Sequence, residues 1–198
     1  IYTLSLHDAL PISSWIPATS EGIKAIEDAT YRGVSINVTV SFSVAQAVTA
    51  GEAIERGLAR REAAGKDTST MGPVVTLMGG RLDDWIKIVA KRANLFLDPG
   101  HLEWAGVAAL KRAYQEFQAR GLRARVLSAA FRNVMHWSEL VGGDLVISPP
   151  FAWQKLINDS GYKVTPRIDV PVAPEIMETL LSIPEFVRAY EQIGRAHV

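Results

Sequence analysis

From Ser35 to Ser43 the chain alternates strictly, with Ile36, Val38, Val40 and Phe42 interleaved by Ser35, Asn37, Thr39, Ser41 and Ser43. A period of two marks a β-strand with two unlike faces. Residues 20–32 before it carry Ile23 and Ile26 at helical spacing, and Gly33 follows as a helix stop. After it, Ser43 and Gln46 form a capping box that opens a helix over 44–63, with Val44, Ala47, Val48, Ile54 and Leu58 on its apolar side. Helix–strand–helix order predicts parallel strands, whose apolar face lies under the helices. The polar face then looks either into a barrel lumen or, on an edge strand, into solvent. The flanking helices favour the lumen, where Asn37 and Thr39 need hydrogen-bond partners.

The same unit recurs along the chain. Residues 73–78 read as a strand, 79–81 as a turn and 82–92 as a helix through Trp85, Ile86 and Val89. Asp98-Pro99-Gly100 breaks the pattern, and 101–120 resume a helix with Trp104, Val107, Ala108, Tyr114 and Phe117. A third strand over 125–130 precedes a helix through Trp137 and Leu140. A fourth over 144–148 precedes a helix to about Asn158, and one or two helices close the chain over 175–190. About four strand–helix units plus closing helices predict an α/β fold, the C-terminal half of a (β/α)8 TIM barrel, whose whole takes about 250 residues. An open doubly wound sheet is the rival, and alternation alone does not separate the two.

The ends stand apart. Residues 1–12 lack the basic start of a signal peptide and resemble the conceptual translation of a sequencing-library adapter. Residues 193–198 resemble the opposite adapter. The expected domain is therefore 13–192, a single unit with no flexible linker. With 48% hydrophobic and 21% charged residues and zero net charge, the composition is that of an ordinary globular protein. The balance gives no electrostatic footprint for nucleic acid or anionic membrane, and no apolar run approaches a membrane span. The chain has no cysteine, and only His101 and His136 lie outside the ends, so no metal site is expected.

Chemistry is left to amides, hydroxyls and cations. Asn37 and Thr39 project from the inward face of their strand, Thr76 does so near the end of the next, and Ser128 joins them only in one register. Arg81 and Arg132 each follow the C-terminal end of a strand, where parallel α/β folds build their sites. Two guanidiniums there would suit a phosphate; the plainer alternative pairs Arg81 with Asp84 on one helix and leaves Arg132 a surface charge. Asp83 and Asp84 are adequately explained as first-turn acids facing the helix dipole. His101 and His136 read as surface or cap groups, and the tryptophans at 85, 104, 137 and 153 as packing residues.

Ile16-Pro17-Ala18-Thr19, Gly33, Asn37-Val38-Thr39, Phe42-Ser43, Gln46, Gly80-Arg81-Leu82-Asp83-Asp84-Trp85 and Ala129-Ala130-Phe131-Arg132-Asn133 together resemble the transaldolase signature. The likeness runs from about Ile16 to about Gln192. It implies a cytoplasmic (β/α)8 enzyme of the pentose phosphate pathway that needs no cofactor. Such an enzyme passes a dihydroxyacetone unit between sugar phosphates through a lysine Schiff base. The resemblance further implies that Asn37 and Thr39 position the reacting carbonyl and its water, that Thr76 stands where the family commonly has serine, and that Arg81 and Arg132 hold the substrate phosphate.

One departure matters. The family's Schiff-base lysine precedes Ile-Pro-Ala-Thr, and here that position is Trp15. Indole offers no amine for imine formation, and Lys24 belongs to the following helix. The expectation is a transaldolase fragment that is itself inactive. Another Schiff-base sugar-phosphate aldolase and a non-catalytic phosphate-binding barrel are the alternatives.

Overall fold

The computed structural model describes residues 14–191; the adapter-like segments 1–12 and 193–198 lie outside the described residues. Five parallel strands form one sheet in sequential order: β1 (Ser14–Pro17), β2 (Ile36–Ser41), β3 (Val74–Leu77), β4 (Arg125–Ser128) and β5 (Val146–Ile147). The helices between them are α1 (Ser20–Tyr31), α2 (Val44–Ala63), α3 (Gly79–Arg92), α4 (Pro99–Leu102), α5 (Ala105–Arg120), α6 (Met135–Ser138) and α7 (Phe151–Asp159), with α8 (Pro174–Leu181) and α9 (Pro184–Tyr190) closing.

Strand register assigns the two faces. Trp15 pairs with Asn37, Asn37 with Val74, and Thr76 with Leu127, so these residues share one face. Ile36, Val38, Val75, Leu77 and Val126 share the other, and all five belong to the apolar core. There they meet Ile26 of α1, Val48 and Ile54 of α2, Ile86 of α3, Leu110 and Phe117 of α5, and Phe186 of α9. Among the described residues the helix-packed core cluster lies on one face of the sheet, and on the other Val74 and Leu127 are buried beside Asn37 and Thr76. A doubly wound sheet carries helices on both faces and reverses its strand order, whereas sequential order with one-sided helices is the pattern of a barrel wall. The fold is α/β, consistent with part of a TIM-type barrel.

Local signals account for most elements. Ser43 caps α2 through the expected box, its Oγ accepting from the Gln46 N–H at 3.2 Å while Gln46 Oε1 accepts from the Ser43 N–H at 3.3 Å. Gly33 ends α1 with φ +92°, a conformation that costs glycine little.

Three expectations need correction. The sheet has one strand more than four, because Ser14–Pro17 joins the edge of β2. The alternation of residues 35–43 does not hold throughout. Between Val38 and Ser41 the register with β3 slips by one residue, Val40 takes φ +57°, and the phase inverts, so Val40 is exposed and Ser41 buried. The turn expected at 79–81 is already helix, since α3 begins at Gly79.

Candidate functional site

The face opposite the core carries the polar pair foreseen on β2 and β3. Thr76 Oγ1 donates to Asn37 Oδ1 at 2.6 Å, and both side chains are buried. Because that bond occupies the amide oxygen, the NH2 end of Asn37 is left as the donor. Thr39 follows two residues along the same face, half-buried. Trp15, register-paired with Asn37, stands beside it and is 71% exposed, an indole in contact with solvent rather than core. Gln46 ties this corner together: its Nε2 donates to the Ala18 carbonyl at 3.4 Å, joining the start of α2 to the end of β1. Ser128 turns away to the helix side, where its Oγ donates to the His136 carbonyl at 2.9 Å, so it does not join the polar face.

The arginines lie at the carboxyl ends of β3 and β4. Arg81, in the first turn of α3, is exposed and has no ion pair among the described residues. Asp84 does not pair with Arg81. It faces Arg132 instead, with Nε 3.1 and 3.0 Å from the two carboxylate oxygens and Nη2 2.7 Å from Oδ2. Nη1 of Arg132 donates to the Ala130 and Phe131 carbonyls of its own loop. The Asp84 carboxylate holds the Arg132 guanidinium above its ordinary pKa.

The two segments touch at Gly80. A Cβ there would fall 1.8 Å from the Ala130 carbonyl oxygen and 2.8 Å from Arg132 Cγ, so only glycine admits the β4–α6 loop this close. Ala130 itself has φ +62°, unusual for a residue with a side chain. Arg81 and Arg132 are thereby anchored on adjoining pieces of backbone.

Beneath them lies a pair that the sequence reading misassigned. Asp83 and His136 are fully buried, with His136 Nε2 2.8 Å from Asp83 Oδ2. The ring N–H is not aligned for a full hydrogen bond, and neither atom has another polar partner. Asp83 Oδ1 accepts from the Gly106 N–H at 2.7 Å, at the start of α5. His136 Nδ1 accepts from the Arg132 backbone N–H at 3.0 Å, which assigns the ring proton to Nε2. Burial pushes the Asp83 carboxyl above its ordinary range, outweighing the pull of His136 and of the Gly106 amide. Asp83 is thus not a dipole-facing surface acid, and His136 is not a surface cap. The helical phase did carry the signal for Asp83, which shares a stripe with Ile86 and Ala90. No grouping of side chains suited to a metal ion occurs among the described residues, and none of their helices is long and apolar enough to cross a membrane.

Comparison with known proteins follows the same residues. The family profile described as transaldolase/fructose-6-phosphate aldolase matches residues 15–188. A protein of Thermosynechococcus vestitus named transaldolase is 32% identical over 158 residues, covering 80% of this chain and 35% of that protein. One of Thiobacillus denitrificans, also named transaldolase, is 28% identical over 208 residues, covering 93% of this chain and 55% of its own length. A third, from Prochlorococcus marinus strain MIT 9312, is 30% identical and covers 75% of this chain and 38% of itself. The chain therefore spans between about a third and a little over half of the length of these curated relatives. With the profile matching nearly all of the described residues, from β1 through α9, this chain belongs to the transaldolase/fructose-6-phosphate aldolase family.

Proposed function

We propose that this chain is part of a transaldolase. In this reading the enzyme transfers a dihydroxyacetone unit from a ketose phosphate to an aldose phosphate in the cytoplasmic pentose phosphate pathway. A lysine imine carries the unit, with no cofactor. The observation that carries the reading is the buried Asn37–Thr76 pair beside the exposed position 15. Thr76 fixes the amide so that the Asn37 NH2 end can donate to a substrate oxygen, and Thr39 lies along the same face for the water exchanged at the carbonyl. Arg81 and Arg132 are the proposed phosphate contacts. The chain as it stands is inactive in this reading, because Trp15 supplies no nucleophilic nitrogen.

The family's description names an aldolase as well as a transaldolase, so a sugar-phosphate aldolase without an acceptor is the second reading. Dependence of turnover on an added aldose phosphate, in a relative carrying the lysine, separates the two.

The phosphate assignment is testable on this chain directly. Titration with fructose 6-phosphate and with fructose should reveal binding of the phosphorylated sugar only. Arg81→Ala and Arg132→Ala should each weaken it by about 2 kcal/mol, the scale of a charge-assisted hydrogen bond. Equal affinity for both sugars, or no loss in either variant, would remove the arginines from the site.

A further inference from the structure

The buried Asp83–His136 pair is not used by the chemistry above, and it is expensive. A carboxylate and an imidazole lose their hydration there in exchange for one imperfect contact and two backbone bonds. Apolar residues would fill the same volume at lower cost. What the pair touches suggests why it is present. Asp83 Oδ2 lies 2.8 Å from His136 Nε2, and His136 Nδ1 accepts from the backbone N–H of Arg132. The next residue, Asp84, grips the guanidinium of that same Arg132. Two consecutive carboxylates of α3 therefore hold one residue of the β4–α6 loop, one at its side chain and the other, through His136, at its backbone. The loop needs holding, since it bears the left-handed Ala130 and presses its carbonyl onto Gly80.

We propose that Asp83 and His136 are positioning residues of the phosphate subsite: they preset the β4–α6 loop so that Arg132 stands at a fixed place beside Arg81 before any ligand arrives. This rests on the phosphate reading of the two arginines. In this arrangement Arg132 gives two donors to Asp84 and its Nη1 to loop carbonyls, which leaves one Nη2 hydrogen without a partner among the described residues. Preorganisation of this kind spares an incoming anion the cost of ordering the loop.

Two substitutions at one position separate positioning from simple filling of space. His136→Asn puts an oxygen where Nδ1 stood, so the Arg132 N–H keeps its acceptor while Asp83 loses its neighbour. His136→Gln keeps an N–H toward Asp83 but has no acceptor near Arg132. Backbone hydrogen exchange of the whole chain should reveal a protected Arg132 amide in the wild type. Protection should fall about tenfold or more in His136→Gln, the worth of one hydrogen bond, with the amides of β2 and β3 unchanged. It should fall less in His136→Asn, which keeps the acceptor and loses only the Asp83 anchor. Affinity for fructose 6-phosphate should follow the same order, while thermal stability should fall in both variants. In the wild-type chain, nitrogen NMR of His136 should report a neutral ring protonated at Nε2, a readout that needs no variant to fold.

An Nδ1-protonated ring, an unprotected Arg132 amide in the wild type, or equal losses in the two variants would overturn the proposal. A wild-type chain that binds neither inorganic phosphate nor fructose 6-phosphate would instead overturn the phosphate reading. Exchange at Arg132 would still decide whether the pair holds the loop.

Discussion

Asp83 and Asp84 are neighbours with opposite environments, and the difference follows from helical phase. Asp83 faces inward with Ile86 and Ala90, while Asp84 is turned toward the Arg132 guanidinium. Lys111 has the same history. It sits on the stripe that carries Ala108 and Val107, and it ends up buried, its Nζ donating to Glu139 at 2.9 Å and to the carbonyls of Arg167 and Val170 at 2.9 and 2.6 Å. Those bonds fasten the segment before α8 onto α5 and α6. Lys111→Met should therefore cost about 3 kcal/mol, the lower end for breaking a buried pair, because Arg167 remains beside Glu139. Urea unfolding measures this, and pairing the change with Glu139→Leu should recover part of the loss. A neutral single variant would mean the ammonium only fills space. For both Asp83 and Lys111 the helical phase carries a signal, a polar residue on an apolar stripe, that the reading of the sequence above does not use. His136 has no such signal, because α6 has only four residues and gives no phase to read. Asn37 and Thr76 were legible because alternation within β2 and β3 sends them to one face, and Ser128 was ambiguous until the β3–β4 register was known.

At the scale of elements, α1 was readable from its stripe and the Gly33 stop, and α2 from its stripe and the Ser43–Gln46 cap. β1 was hidden by its four-residue length and by Pro17, which weakens any strand assignment. The slip near Val40 was hidden because a bulge depends on the partner strand as much as on its own sequence. Helices α1 and α2 are packed side by side and clamped on their outer edge, where Glu27 accepts from Arg56 Nε at 2.8 Å and from Arg60 at 2.8 Å. The bonds from Arg56, then Arg60, hold the Glu27 carboxyl below its ordinary range. A lowered folded pKa means stability that is present above the unfolded value and is lost as pH falls through the folded one. Glu27→Gln removes this contribution. Its stability difference from the wild type should therefore be measurable near neutrality, should shrink with added salt, and should vanish at the acid end of the glutamate range. Denaturant melts at stepped pH test this, and a difference that grows toward acid would contradict the clamp.

The described residues form one sheet whose helices pack on one side. Its helices cover the face of Val38, Val75 and Val126, while on the opposite face Asn37, Val74, Thr76 and Leu127 are also buried and Trp15, on the edge strand, is 71% exposed. Sequential strand order could be anticipated from the repeated strand–helix unit, but the unequal exposure along the inner face could not, because it depends on what stands across from the sheet. The exposure of position 15 bears on repair of the proposed site. Trp15→Lys would restore the amine at the position beside Asn37 that the resemblance assigns to the nucleophile. An amine becomes a good imine former near neutrality when burial or a neighbouring cation lowers its pKa, and a side chain at the exposed position 15 would remain hydrated. Imine chemistry also needs a positioned acid or base, worth about 10²–10⁴-fold, and no titratable group contacts Asn37 or Thr76 among the described hydrogen bonds. Groups that act as a unit recover little when one is restored alone. Borohydride treatment of the Trp15→Lys chain with fructose 6-phosphate should therefore give at most slow covalent trapping, and addition of an aldose phosphate acceptor should give no steady transfer. Trapping should weaken further in Arg132→Ala if the phosphate first docks the sugar. Sustained turnover by the repaired chain would mean that this face already holds a complete site, and both the inactivity proposed here and its physical cause would fall.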